Sequence, residues 1–130
     1  MKVSIITLTS NSIKTVKKTI NSINKQDYQN IEKVWIDNCS NDGTFQYLKS
    51  KVDKQTILVS EKDNGIFDAF NKGVKLARGN IVGFLHSDDF LNKKDIISNI
   101  VKEFRDNDIN LTYGNLDYID KNNKVRRKWI

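Results

Sequence analysis

The chain alternates between two periods. "KVSIITLT" (Lys2–Thr9) is β-branched and almost continuously apolar, the pattern of a strand covered on both faces. "SNS" then offers a helix-capping signal. After it, Ile13, Val16, Ile20 and Ile23 recur at spacings of three and four, which predicts an amphipathic helix. "IEKVWID" (Ile31–Asp37) predicts a second strand, "NCSNDG" is dense in turn formers, and Phe45, Leu48 and Val52 mark a short helix. "TILVS" (Thr56–Ser60) predicts a third strand and "EKDNG" a loop. Phe67, Phe70, Val74 and Ala77 predict a helix stopped by Gly79. "GNIVGFLHSDDF" (Gly79–Phe90) opens as a buried strand, with Ile81, Val82, Phe84 and Leu85 apolar. Ile96, Ile97, Ile100, Val101 and Phe104 give a further helix. "INLTYGNLDYI" reads as a strand, "DKNNK" as a turn and "VRRKWI" as the start of one more strand.

The predicted order is βαβαβαβαββ. Such alternation argues an α/β fold, a mostly parallel, doubly wound, Rossmann-like sheet with right-handed crossovers and helices on both faces. Ligands of these sheets bind outside the carboxyl ends of the strands. "TSN", "DNCSND", "EKDNG" and "HSDD" each follow a strand, so all four are expected to line one edge. The chain has 130 residues, no internal repeat and no linker, which fits one domain that buries roughly two-thirds of its unfolded surface.

Composition narrows the setting. With 29% charged and 38% hydrophobic residues the chain reads as globular rather than disordered. No apolar run reaches the roughly 20 residues of a membrane span, and the first apolar stretch is too short for a secretory signal. A cytoplasmic protein is expected, with the inner face of the cell membrane as an alternative location. Cys39 is the only cysteine and His86 the only histidine. An internal disulfide and a Cys-based zinc site are therefore excluded, and any metal must be held mainly by oxygen. The net charge is +6, much of it in "KNNKVRRKW" (Lys121–Trp129). That segment fits a solvated hairpin face, an anionic membrane surface or a phosphate-bearing ligand. Nucleic acid is not expected, because basic residues are thinly spread elsewhere and no recognition motif accompanies them.

The chemistry gathers at Asp88 and Asp89. Two adjacent carboxylates at the tip of a buried strand repel each other and lose hydration, so they call for a shared cation or for water. Read alone, they also fit acidic residues ahead of a helix. No G-x-G-x-x-G or G-x-x-x-x-G-K-[ST] occurs and no nucleophile elbow. The edge offers Asp37, Asp42, Asp63, Asp68, Asp88 and Asp89 instead. Such a set suits a hard divalent cation that takes its remaining ligands from water and phosphate, or hydrogen bonds to ribose hydroxyls and a base N–H. Asp42 belongs to an Asp-Gly turn and reads as structural. His86 reads as an edge residue, Cys39 as an inert thiol, and Trp35 and Phe84 as core.

Several stretches together resemble the family 2 glycosyltransferases of the GT-A fold. "VSIITLTSN" resembles the family's first strand and "VWIDNCSNDGT" its V-x-V-D-D/N-x-S-x-D-G-T block. "EKDNGIFDAFNKGVKLARGNIVGFLHSDD" resembles the long run that closes on the metal motif. The resemblance spans Lys2 to about Tyr118 and points to bacterial enzymes that build capsule, lipopolysaccharide or exopolysaccharide. It implies a transfer of sugar from a nucleotide-diphosphate sugar, usually a uridine one, to a glycan or lipid-linked acceptor, assisted by Mg²⁺ or Mn²⁺. By resemblance, Asp37 binds the base or ribose, Thr9 borders the base, and Asp88 approaches the ribose or shares the metal. Asp89 holds the cation against the diphosphate. Lys62 and Asp68 are further candidate donor contacts. His86 departs from the family's D-x-D-D, where an Asp stands first. Relatives continue well past this length, and their catalytic base lies in that continuation. The expectation is therefore one donor-binding domain, residues 1–130, with the base beyond Ile130. The alternative is a nucleotide-sugar-binding module without catalysis. A terminal strand with an unpaired edge also makes self-association an expectation. A nucleotidyltransferase would need a Gly-rich basic loop after the first strand, which "TLTSNS" does not provide.

Overall fold

A computed structural model describes every residue, Met1–Ile130. The elements run β1 (Val3–Thr9), α1 (Ile13–Asn24), β2 (Ile31–Asp37), α2 (Thr44–Ser50) and β3 (Thr56–Ser60). Then follow α3 (Ile66–Leu76), β4 (Ile81–Phe84), α4 (Ile96–Asp106), β5 (Leu116–Ile119) and β6 (Val125–Trp129). The first four strands form one parallel sheet in the order β3-β2-β1-β4, and β5 with β6 makes a separate antiparallel ribbon.

Strand parity sorts the core into two layers. Val3 and Ile5 of β1, Ile31 and Trp35 of β2, and Ile81 of β4 pack with Val16, Ile20 and Ile23 of α1, Leu48 of α2 and Ile97 and Val101 of α4. The alternate residues Ile6, Val34 and Ile36 face Ala69 of α3. One face thus carries three helices and the other only α3. On that thinner side α3 comes close to β1: a Cβ on Gly73 would lie 2.6 Å from Ile6 Cγ2.

α1 and the turn that follows it also carry a polar stripe at helical spacing. The Thr19 hydroxyl donates to the Asp89 carbonyl (2.6 Å), Ser22 Oγ accepts the Leu91 N–H (3.1 Å), and Gln26 bonds both the Lys93 carbonyl and the Ile97 N–H. These three side chains are buried. They satisfy backbone groups of the irregular segment between β4 and α4, which no strand or helix ladder serves.

Several expected boundaries shift, each for a local reason. α3 ends at Leu76 because Ala77 turns to an extended conformation (φ −63°, ψ 132°). Gly79 is instead required by close approach, since a Cβ there would meet Ser4 Oγ at 2.6 Å and Ser4 N at 2.7 Å. Val52 lies outside α2 and is exposed. Of "INLTYGNLDYI" only Leu116–Ile119 is strand, and Leu111 and Tyr113 are exposed. Trp35 is fully buried as expected, whereas Phe84 is 49% exposed, because it points to the face that α3 alone covers. Its ring meets Phe70 edge to face at 4.8 Å.

Candidate functional site

Four parallel strands deliver their following loops to one edge, and a cleft of about 480 Å³ lies there, within the roughly 300–1,000 Å³ of small-molecule sites. β1 contributes Leu8 and Thr9 and the turn Ser10–Ser12. Asn38 follows β2, Asp63 follows β3, and His86, Ser87 and Asp88 follow β4. Ile66 and Ala69 of α3 and Thr15 of α1 close the sides. A smaller hollow of about 280 Å³ at the opposite, amino edge is lined by Lys2, Glu32, Lys54 and Arg78 among others and receives none of these loops.

The β1–β2 side of the cleft is a closed hydrogen-bond network centred on Asp37. This residue is register partner to Thr9 and has no exposed surface. Its carboxylate accepts from Thr9 Oγ1 (2.7 Å), Ser40 Oγ (2.6 Å), Ser60 Oγ (2.8 Å) and the Ser40 N–H (3.0 Å). Asp37 therefore stands behind the lining, and the next residue, Asn38, forms it. Asn38 accepts the Asp63 N–H on Oδ1 (3.1 Å), and Asp63 in turn accepts the Gly65 N–H (3.0 Å). Gly65 has φ +108°, a conformation that leads the chain into α3 and suits glycine.

The start of α1 is held from outside. Ser12 makes no capping bond of its own. Asp42 of the β2–α2 loop accepts the Ile13 N–H (3.1 Å) as well as the Thr44 N–H and hydroxyl. The Thr44 hydroxyl bond, with these backbone N–H groups, holds the Asp42 carboxyl below the usual range. Asp42 is thus a structural group, as its turn context implies. Ser87 Oγ donates to Ser12 Oγ at 3.0 Å and joins the β1 and β4 loops across the cleft.

The β4 side is the opposite. Asp88 and Asp89 are both exposed, and α4 begins only at Ile96 with Asp95 at its cap, so the pair does not cap that helix. Asp88 lines the cleft; Asp89 stands beside it, outside the lining. Partial burial and then the neighbouring Asp88 charge raise the Asp89 carboxyl above its usual range, with His86 opposing. No donor bond offsets this. The His86 ring lies edge to face with the Phe70 ring, with centroids 5.9 Å apart.

Thr9 and Asp88 thus meet in the cleft, while Lys62 and Asp68 do not line it. Lys62 is exposed. Asp68 accepts the Asn64 N–H (2.9 Å) and pairs with Lys72 (3.3 Å), and these partners hold its carboxyl below the usual range. Asn38 and Ser87 are lining residues that the sequence reading did not single out, and Asp63, named there only as one of the edge carboxylates, lines the cleft with them. No three His, Cys, Asp or Glu side chains are placed to enclose a cation. Two exposed carboxylates with no donor on Asp89 still fit a hard cation of the Mg²⁺ type, which keeps several waters and takes phosphate oxygens as ligands.

Residues 4–129 match the model of Glycosyl transferase family 2. The UDP-Glc:alpha-D-GlcNAc-diphosphoundecaprenol beta-1,3-glucosyltransferase WfgD of Escherichia coli is 35% identical over 127 residues, covering 95% of this chain and 49% of that protein. The poly(ribitol-phosphate) beta-N-acetylglucosaminyltransferase TarS of Staphylococcus aureus is 36% identical over 101 residues, 74% of this chain and 18% of its own. The crystal structure of TarS 1–349 with UDP-GlcNAc superposes with a TM-score of 0.75 at 31% identity, over 82% of this chain and 32% of that one. A mannosyltransferase from Pyrobaculum calidifontis, in complex with GDP-Man and Mn²⁺, gives 0.70 at 29% identity over 78% and 31%. The chain spans about half or less of the length of each of these relatives.

Proposed function

The chain belongs to glycosyl transferase family 2 and has the GT-A fold, and from that premise we propose that residues 1–130 form the donor-binding domain of a glycosyltransferase. The donor is a nucleotide-diphosphate sugar, by our reading a UDP-sugar, and the acceptor a glycan or lipid-linked glycan in bacterial polysaccharide assembly. The observation that carries this reading is the cleft itself: Thr9, Asn38, Asp63 and Asp88 converge on one edge from four successive strands.

In this reading the base and ribose lie along Thr9, Asn38 and Asp63, and the exposed Lys62, next in sequence to Asp63, is a candidate for meeting the donor's negative charge. Asp37 acts as a positioning residue, fixing the loop that presents Asn38 through Thr9, Ser40 and Ser60. Asp68 holds the Asp63–Gly65 turn by its bond to Asn64. Asp88 and Asp89 hold Mg²⁺ or Mn²⁺, which when bound supplies Lewis-acid stabilisation of the departing diphosphate. Ser12 and Ser87 keep the two loops at a set separation.

A second reading is a nucleotide-sugar-binding module without its own base. The lining favours it in one respect: Asp63 and Asp88 are its two carboxylates. The donor-site reading gives Asp63 to the base and ribose and Asp88 to the cation, which leaves no lining carboxylate assigned to deprotonate an acceptor hydroxyl. Calorimetric titration of UDP and GDP with Mn²⁺, and again with EDTA, tests the site. Tighter UDP binding with Mn²⁺ is expected, and equal affinity in both would remove the metal assignment. Transfer and donor-hydrolysis assays on the same protein separate the two readings.

A further inference from the structure

β4 hands its chain to a tight turn that carries the carboxylate pair. The Leu85 N–H still donates to the Ile6 carbonyl (3.0 Å), so the pairing with β1 reaches just past the strand. The Asp89 N–H then returns to the His86 carbonyl (3.0 Å) and closes the turn. Ser87 Oγ is held by Ser12 Oγ (3.0 Å), and the Asp89 carbonyl accepts from Thr19 Oγ1 (2.6 Å). The chain is thus fixed on both sides of Asp88, while no donor reaches the Asp89 carboxylate. This carboxylate corner has a fixed backbone and side chains left open.

Thr19 is the part of that arrangement that the cleft does not explain. It has no exposed surface, lies on the buried face of α1 with Val16, Ile20 and Ile23, and does not line the cleft. A helical threonine can satisfy its hydroxyl on the carbonyl three or four residues back. Thr15 of the same helix does so on Ser12 (3.4 Å). Thr19 crosses to another segment instead. The bond is not needed to satisfy the hydroxyl; what it adds is the position of Asp89. Ser22 and Gln26 continue the same line onto Leu91, Lys93 and Ile97, so the exit from the turn is held as well.

We propose that Thr19 is the positioning residue for the Asp88–Asp89 pair, holding the turn so that both carboxylates serve one divalent cation and its nucleotide diphosphate. The inference rests on the donor-site reading above. Adjacent carboxylates repel, and a loose backbone would let them turn apart. A backbone fixed beforehand leaves less to be ordered when the ligand arrives. Groups that orient metal ligands in this way typically contribute roughly 10–100-fold in affinity.

Thr19→Val keeps the shape of the side chain and removes the donor; Thr19→Ser keeps the donor. Ile20→Val trims the adjacent buried position of the same helix without touching a side-chain hydrogen bond, and serves as the control for general loosening. UDP is titrated by calorimetry with Mn²⁺ and with EDTA, free Mn²⁺ is counted by electron paramagnetic resonance, and the Asp89 amide is followed by hydrogen exchange. Thr19→Val should weaken Mn²⁺-dependent UDP binding about 10-fold, leave binding in EDTA unchanged and speed exchange of the Asp89 amide. Thr19→Ser should match the wild type in all three, and Ile20→Val should keep the wild-type Mn²⁺ dependence. Should Thr19→Val not fold, Thr19→Ala carries the same comparison. Equal weakening with Mn²⁺ and with EDTA, a Thr19→Ser variant as weak as Thr19→Val, or the same loss in Ile20→Val would each reduce Thr19 to a packing residue and overturn the proposal. Mn²⁺-dependent binding in the wild type that Thr19→Val leaves intact overturns the Thr19 assignment alone. Wild-type binding that ignores Mn²⁺ overturns the cation reading, and this inference with it.

Discussion

Asp37 and the Asp88–Asp89 pair occupy the same edge of one sheet, at the ends of β2 and just after β4, yet their surroundings are opposite. Asp37 is sealed from solvent and accepts four hydrogen bonds. Asp89 is exposed, its carboxylate accepts no hydrogen bond, and that carboxylate is pushed toward the protonated form by partial burial and by Asp88. A carboxylate whose lone pairs are all taken organises the protein around it. One left without donors next to a like charge is a site that something else must complete. The difference separates framework from ligand-binding chemistry where residue type alone does not.

The largest expected effect is on the framework side. Asp37→Ala leaves the buried Thr9 hydroxyl, the Ser40 hydroxyl and N–H and the Ser60 hydroxyl without their acceptor and should cost about 3 kcal/mol of stability, measured by urea unfolding. A cost well below this would place Asp37 among the ligand-binding groups instead. Asp88→Ala should behave in the reverse way. Mn²⁺-dependent UDP affinity should fall about 100-fold, roughly 3 kcal/mol of lost metal-assisted binding, with stability unchanged to within about 0.5 kcal/mol.

Asp42 sharpens the comparison from between these poles, being saturated with donors but at the surface. Its carboxyl lies below the ordinary 3.8, chiefly through Thr44. Its stabilising contribution is therefore present above pH 3.8 and fades as pH falls through the lower folded value. Asp42→Asn should flatten that acid limb of the stability profile and lower the unfolding midpoint less than Asp37→Ala does.

The smallest effect belongs to Asp89. Its folded carboxyl titrates above 3.8, so without metal the ionised group costs stability at neutral pH, and the cost is relieved as pH falls through the folded value. Asp89→Asn should gain a few tenths of a kcal/mol at neutral pH without metal, discounted for solvent screening. The gain should close as pH drops toward 3.8 and turn into a loss once Mn²⁺ and UDP are present.

Much of the architecture was legible because each period names its element, and the order of elements selects a parallel sheet. The edge of the sheet that holds the cleft followed from the same order. What the motifs did not convey was direction. Asp37 continues the odd-numbered side of Ile31, Lys33 and Trp35, the side facing α1 and α2, so it turns inward and Asn38 takes the lining. That alternation was present in the sequence as a signal. Lys62 and Asp68 could not be placed in the same way, because the turn between β3 and α3 is set by Gly65 and by the bonds of Asp63 and Asp68 rather than by periodicity. Ile109–Tyr113 alternates like a strand but forms no ladder. Pattern shows which face a strand would bury, and pairing still requires a neighbouring strand.

The polar stripe of α1 bears on the order in which the molecule assembles. Ser12, Thr19, Ser22 and Gln26 reach residues 67 to 75 positions away along the chain, and that separation makes such contacts late and entropically costly to close. The segment from Ser87 to Asp95 has no ladder of its own to form early. Its shape waits until β1, α1 and β4 have come together. The carboxylate corner should therefore be the last part of the sheet edge to mature during folding. Pulse-labelled hydrogen exchange should find the Leu91 and Ile97 amides protected after those of β1 and β2, and simultaneous protection would show that the corner forms with the sheet itself.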